Sequence, residues 1–337
     1  MNRRNSNFEL LRLVAMMLVM LVHANYLSLG NVTQAELFAT PWTGFVRIVC
    51  EQLCIVSVNL FILLSGWFGI RPTVKKFASL IFQILFIGLI TVEICRYIGV
   101  EVSPRSFNDL LYFGACYWFV PAYFILFGLA PVLNSYCEHA TKRQFATLLA
   151  GFFVLEMLFG WLTYDYGNYE RGYSALSFIG LYLLAQYIRR HGERLRSLKW
   201  WQHLLCYLLF TAIPVAISLF GLYTKNKELG ATMYCSLFVI AASVSLFLVF
   251  DKFRFESKAV NWLASSAFAI YLLHQAPGAM ELYKEFFNTA YERMNGVLFI
   301  PFVIATTLII GLASILLDKL RMVVWNGVLK VKEIVIK

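Results

Sequence analysis

The chain has 337 residues, 60% of them hydrophobic and only 14% charged, with a net charge of +10. Soluble globular proteins are closer to one half and one quarter, so a soluble fold is excluded, and the apolar segments have the length of membrane spans, about 20 residues each. The positive charge does not point to nucleic acid, because no basic stripe interleaves with aromatic residues.

The first residues, Met1-Asn2-Arg3-Arg4, imitate the start of a signal peptide, but Arg12 interrupts the apolar run that follows, so the segment is read as the first span. Hydropathy predicts spans at residues 8–29, 45–69, 77–98, 117–136, 144–163, 173–188, 202–223, 232–250, 259–277 and 297–317. Lipid offers no partner for exposed backbone groups and no segment alternates as a barrel strand does, so the spans must be helices. The expected fold is all-α: a polytopic integral membrane helical bundle of about ten transmembrane helices. It is expected to form one transmembrane domain over residues 1–337, with no separate soluble domain. With the N-terminus in the cytoplasm, inner segments hold about 20 of the 29 Lys and Arg residues, which predicts both termini inside. Arg189, Arg190, Arg194, Arg196 and Lys199 form the strongest inner anchor. The outer loop 278–296 has the pattern of an amphipathic surface helix. The seven cysteines show no zinc or redox spacing.

Ionisable groups inside spans are costly and mark candidate function. Span 1 carries Glu9, Arg12 and His23. Arg12 and His23 are eleven positions apart, nearly a whole number of helical turns, so both face one interior channel about 16 Å apart along the axis. That separation suits coenzyme A, with an anionic nucleotide at one end and a reactive thioester at the other. Arg12, with Arg71, Lys75 and Lys76 of the first inner loop, would hold the phosphates. His23 would accept a proton from an acceptor hydroxyl. Span 2 adds Glu51 and Asn59, and span 5 adds Glu156; Glu51 first and Glu156 second are the expected carboxylate partners of His23. Glu93 is expected to be neutralised by Arg96, three residues on. Span 9 places Tyr271 and His274 on one face, level with His23 and on the acceptor side. Trp118 lies at a span end, where aromatic residues anchor to the interface. No metal is expected, because no helix shows ligand spacing.

Several stretches resemble the acyltransferase-3 family. Phe8-Glu9-Leu10-Leu11-Arg12 and Leu21-Val22-His23 are similar to its first span, in which a basic residue precedes a histidine by ten intervening residues. Val58-Asn59-Leu60-Phe61, Ser65-Gly66-Trp67-Phe68, Tyr117-Trp118-Phe119, Gly180-Leu181-Tyr182 and Ile270-Tyr271-Leu272-Leu273-His274 follow in the family's order. The resemblance implies acyl transfer, most often of acetyl, from cytoplasmic acyl-CoA to a carbohydrate hydroxyl. His23 and Arg12 map onto the family's essential pair, and Asn59, Trp118, Tyr271 and His274 become the candidates for binding the acceptor. The chain departs from the family in having Asn59 where many members have Asp, and in lacking Arg-x-x-Arg after span 2. The expected protein is an O-acyltransferase of envelope polysaccharide in a bacterial inner membrane. The alternative is a transporter or flippase of a lipid-linked glycan, against which stands the absence of internal repeats.

Overall fold

The computed structural model describes residues 5–114, 117–163, 167–226, 232–294 and 296–335. Every regular element among them is helical. Helix α1, Ser6–Val22, widens into a π-helical turn at His23–Leu27. Then come α2 (Gln34–Ala39), α3 (Pro41–Cys54), α4 (Ser57–Phe68), α5 (Val74–Tyr97), α6 (Pro104–Leu111) and α7 (Phe119–His139). Helix α8 (Lys142–Leu155) also ends in a π-helical segment, Glu156–Leu162. The remainder comprises α9 (Ala175–His191), α10 (Glu193–Arg196), α11 (Trp200–Lys225), α12 (Leu237–Lys252), α13 (Lys258–Ala264), α14 (Ala267–His274), α15 (Ala279–Arg293) and α16 (Gly296–Val335).

Local chemistry sets the helix starts. Thr73, Ser103, Thr141, Ser174 and Ser257 accept backbone N–H groups at N-caps, satisfying donors that the first turn leaves unpaired. Pro41 and Pro104 occupy first-turn positions, where a missing N–H costs nothing.

Helix α1 is central, packed against α3, α4, α12, α13, α14 and α16. Helices α4 and α9 approach closely at Gly66, where an added Cβ would lie 2.4 Å from the Tyr182 carbonyl oxygen. Gly69, at φ +75°, then turns the chain out of α4. The turn is held in place by Tyr182 and Asn134. The Tyr182 hydroxyl accepts from Ile70 N–H (2.9 Å) and donates to Asn134 Oδ1 (2.6 Å), while Asn134 Nδ2 donates to the Ile70 carbonyl (2.8 Å).

Seven helical stretches among the described residues are long and apolar enough to cross a membrane: Ser6–Leu27, Pro41–Phe68, Val74–Tyr97, Phe119–His139, Lys142–Leu162, Trp200–Lys225 and Leu298–Lys330. The other three expected spans also coincide with helices, but shorter ones. Helices α9 and α12 have 17 and 16 residues, and the ninth span is broken at Ser265–Ser266 into α13 and α14. Helices α12 and α14 are mostly buried, and broken helices are tolerated at membrane depth where neighbouring protein covers them. The amphipathic helix expected after span 9 is α15, which buries Met280, Tyr283 and Phe287.

Candidate active site

Two cavities of the bundle have no lining residue in common. The first, ≈ 610 Å³, lies at the end that carries the N-terminus. Asn5, Glu9 and Arg12 form its polar wall, with Ser65, Gln83 and Tyr123; Phe61, Leu64, Leu80, Phe119 and Phe268 are among its apolar residues. Arg12 Nη1 pairs with Glu9 Oε2 at 2.5 Å and remains about a third exposed. The three-residue spacing on one helix produces this pair.

The second cavity, ≈ 410 Å³, lies further along α1 and is lined by His23 and Tyr26 of the π-helical turn. Trp118, Tyr173 and Tyr234 form an aromatic wall, with ring centroids 4.6 Å apart for Trp118–Tyr173 and 4.8 Å for Tyr173–Tyr234. Asp109, Gln275, Glu281 and Lys284 add polar groups. Arg12 and His23 therefore face the interior as the helical period demands, but they open into different cavities rather than one channel. Tyr271 fills the space between. Its ring lies 5.9 Å from Phe119 and 5.8 Å from Phe268 on the wall of the first cavity, and 6.2 Å from His274 behind the second.

His23 and His274, 251 residues apart in sequence, touch: His23 Nδ1 and His274 Nε2 are 2.8 Å apart. His274 Nδ1 lies 2.5 Å from the Ile270 carbonyl, which can only accept, so His274 carries its proton on Nδ1. Neutral His274 then offers a lone pair at Nε2, His23 donates to it from Nδ1, and the free lone pair of His23 is on Nε2. The Gln275 amide is placed with Nε2 2.9 Å from His23 Nδ1 and 3.4 Å from His23 Nε2; because His23 Nδ1 donates to His274, the amide takes the flipped orientation, with its oxygen toward Nδ1. Helix α14 is held at this depth by the Tyr117 hydroxyl, which donates to the Leu272 carbonyl at 2.8 Å.

The remaining candidates are placed less centrally. Glu51 is bonded to Asn25, whose Nδ2 donates to Glu51 Oε2 at 3.0 Å, and no bond between Glu51 and His23 is found among the described residues. Asn25 also accepts from Arg47, whose Nη1 donates to both Glu36 oxygens at 2.6 and 2.7 Å. Glu156 is buried in the π-helical end of α8, away from both cavities, with one oxygen lacking a hydrogen-bond partner. The histidine pair thus takes the place in which the sequence suggested a carboxylate. Asn59 is fully buried and donates to the Tyr234 carbonyl at 3.0 Å, so it supports the aromatic wall from behind. His274 and Tyr271 are buried rather than lining the second cavity; Trp118 does line it. Arg71, Lys75 and Lys76 are exposed just past Ile70, at the rim of the first cavity, and none lines it. Glu93 pairs with Arg96 at 2.8 Å, as the spacing predicts.

A family model described as an acyltransferase domain matches residues 5–316, nearly the whole chain. The chain belongs to the acyltransferase-3 family. This acyltransferase-3 protein is therefore an acyltransferase, and membership decides between the enzyme and the transporter that the sequence left as alternatives. The match includes both cavities and the histidine pair. No curated protein and no solved structure matches the chain.

Proposed function

We propose that this acyltransferase moves an acyl group, in the simplest case acetyl, from acyl-CoA to a hydroxyl of a cell-envelope sugar. The observation that carries the proposal is the His23–His274–Ile270 chain of hydrogen bonds, which leaves the His23 Nε2 lone pair for the cavity that holds the aromatic wall. The N-terminal end faces the cytoplasm, as the distribution of Lys and Arg favours, in the inner membrane of a bacterium. Acyl-CoA enters the first cavity from that side. Arg12 exchanges Glu9 for donor phosphate, a charge-assisted contact for which a guanidinium fork is suited. The thin acyl-pantetheine arm passes Phe119 and Tyr271 and brings its carbonyl to His23.

A sugar lies against Trp118, Tyr173 and Tyr234, whose flat apolar faces match the C–H face of a pyranose, with Asp109 and Glu281 accepting from its hydroxyls. His23 Nε2 takes the proton of one hydroxyl as its oxygen attacks the thioester carbon. The tetrahedral adduct collapses, the C–S bond breaks, and the departing thiolate receives that proton from His23. His274 keeps His23 in the productive tautomer throughout.

The test is transfer of label from [14C]acetyl-CoA to glycan in membranes carrying the protein. Label in a glycan fraction that mild alkali releases as acetate supports an O-ester. Label that stays in lipid or protein would refute the sugar acceptor.

A further inference from the structure

Attack on a thioester puts a full negative charge on the carbonyl oxygen, and an enzyme gains most by meeting that charge with a fixed donor or cation. Lys284 is the one lysine or arginine among the described residues lining the second cavity. It is half-buried and forms no ion pair among the described residues. It lines the same cavity as His23. Its position is fixed: the preceding residue, Tyr283, is buried and donates its hydroxyl to the Met20 carbonyl at 2.7 Å, one turn of α1 before His23. The Tyr283 ring also packs 5.5 Å from that of His274. Met280, Glu281 and Lys284 come to one face of α15 by three- and four-residue spacing, and all three line the cavity.

A half-buried ammonium without a counter-ion suits an anion that arrives. Two carboxylates share the same wall. Glu281 is engaged at the N-terminus of α15, where Oε2 accepts from Gly278 N–H at 2.9 Å, and Asp109 sits on α6. With two carboxylates against one lysine, the wall repels an acceptor that carries a permanent negative charge. The charge that remains to be met is the transient one formed beside His23.

Resting on the function proposed above, we infer that Lys284 is a catalytic residue that stabilises the oxyanion of the tetrahedral intermediate, and that the acceptor is an uncharged sugar. As the hydroxyl oxygen bonds to the thioester carbon, the carbonyl electron pair moves onto oxygen and is met by the Lys284 ammonium. Collapse returns that pair, the C–S bond breaks, and the thiolate takes its proton from His23.

The experiment measures initial rates of [14C]acetyl transfer from acetyl-CoA to glycan in membranes carrying the full chain, for wild type, Lys284→Met, Lys284→Arg and His23→Ala. Loss of one oxyanion donor costs about 10²–10³ in kcat. Lys284→Met is expected to lose that much at saturating acetyl-CoA, with its KM for acetyl-CoA within about twofold of wild type. Lys284→Arg should recover a large part, and thermal unfolding in detergent should be unchanged, since a merely structural role would not be restored by charge alone. A Lys284→Met rate within about twofold of wild type, beside an inactive His23→Ala, overturns the inference and leaves the proposed function standing. A Lys284→Met loss that added glycan reverses also overturns it, because Lys284 would then bind an anionic acceptor. Wild-type membranes that transfer no label overturn both.

Discussion

Replacing His274 with alanine removes the lone pair into which His23 Nδ1–H donates at 2.8 Å. The bond itself contributes about 0.5–1.5 kcal/mol net, and the Gln275 oxygen, 2.9 Å away, remains as a second acceptor for Nδ1–H. At about 1.4 kcal/mol per factor of ten, the fraction of His23 held with a lone pair on Nε2 falls roughly 2- to 10-fold. The expected result is a fall in kcat of that size, smaller than the roughly 10²–10⁴ expected from losing the base itself. The KM for acetyl-CoA should hold, because His274 lines neither cavity. His274→Gln, whose amide oxygen reaches about as far as Nε2, should restore much of the rate. The assay is saturation kinetics of label transfer with purified protein, with thermal unfolding to check that loss of the Tyr271 and Tyr283 ring contacts has not unfolded the variant. Wild-type kcat in a folded His274→Ala would refute the tautomer argument. An effect confined to the KM for acceptor would return His274 to the sugar-binding role that its position on span 9 suggested.

Arg12→Ala should raise the KM for acetyl-CoA more than it lowers kcat, with Arg12→Lys a partial rescue that keeps charge but loses the fork; saturation kinetics decide, and a collapsed kcat at unchanged KM would assign Arg12 to holding α1 through Glu9 instead. Phe119→Ala opens the partition beside Tyr271, so thiol release from acetyl-CoA without glycan should rise relative to wild type, as read with a thiol reagent; unchanged release would mean that Phe119 does not separate the cavities. Gly66→Ala drives a Cβ against the Tyr182 carbonyl oxygen, and overpacking of this kind costs about 1–3 kcal/mol, so the unfolding temperature should drop. Arg47→Met removes the buried partner of a part-exposed Glu36, together with the Arg47 bonds to Asn25 and Gly30, and should lower the unfolding temperature.

Much of the bundle was legible because lipid imposes simple rules: every predicted span falls on a helix, and the amphipathic helix expected after span 9 is α15. The number of crossings was less so, since α9, α12 and the α13–α14 pair are shorter or broken; α9, α12 and α14 are mostly enclosed by protein, which relaxes the length rule. The adjacent Ser265 and Ser266 inside an apolar run were the available signal of the break. Arg12 and His23 were legible because charge at membrane depth is rare and one helical period relates them. What surrounds them depends on contacts between distant segments. Glu51 and Glu156 were plausible partners of His23 by depth alone, yet depth does not give azimuth, and Asn25 takes up Glu51 while His274 reaches His23. The π-helical turn at His23–Leu27 has no period to announce it. Tyr26, Asp109, Tyr173, Tyr234 and Lys284 come from turns and outer helices that converge only in the folded chain, and their residue types are ordinary for span ends. Gln275 had a signal in being next to His274.

The central claim is that His23 is the base for acyl transfer from CoA to a sugar. It is tested most directly by incubating membranes of wild type and His23→Ala, at equal expression, with [14C]acetyl-CoA and counting label in the glycan. The account predicts alkali-labile label in wild type and none above background in His23→Ala. Equal labelling of the two would contradict it.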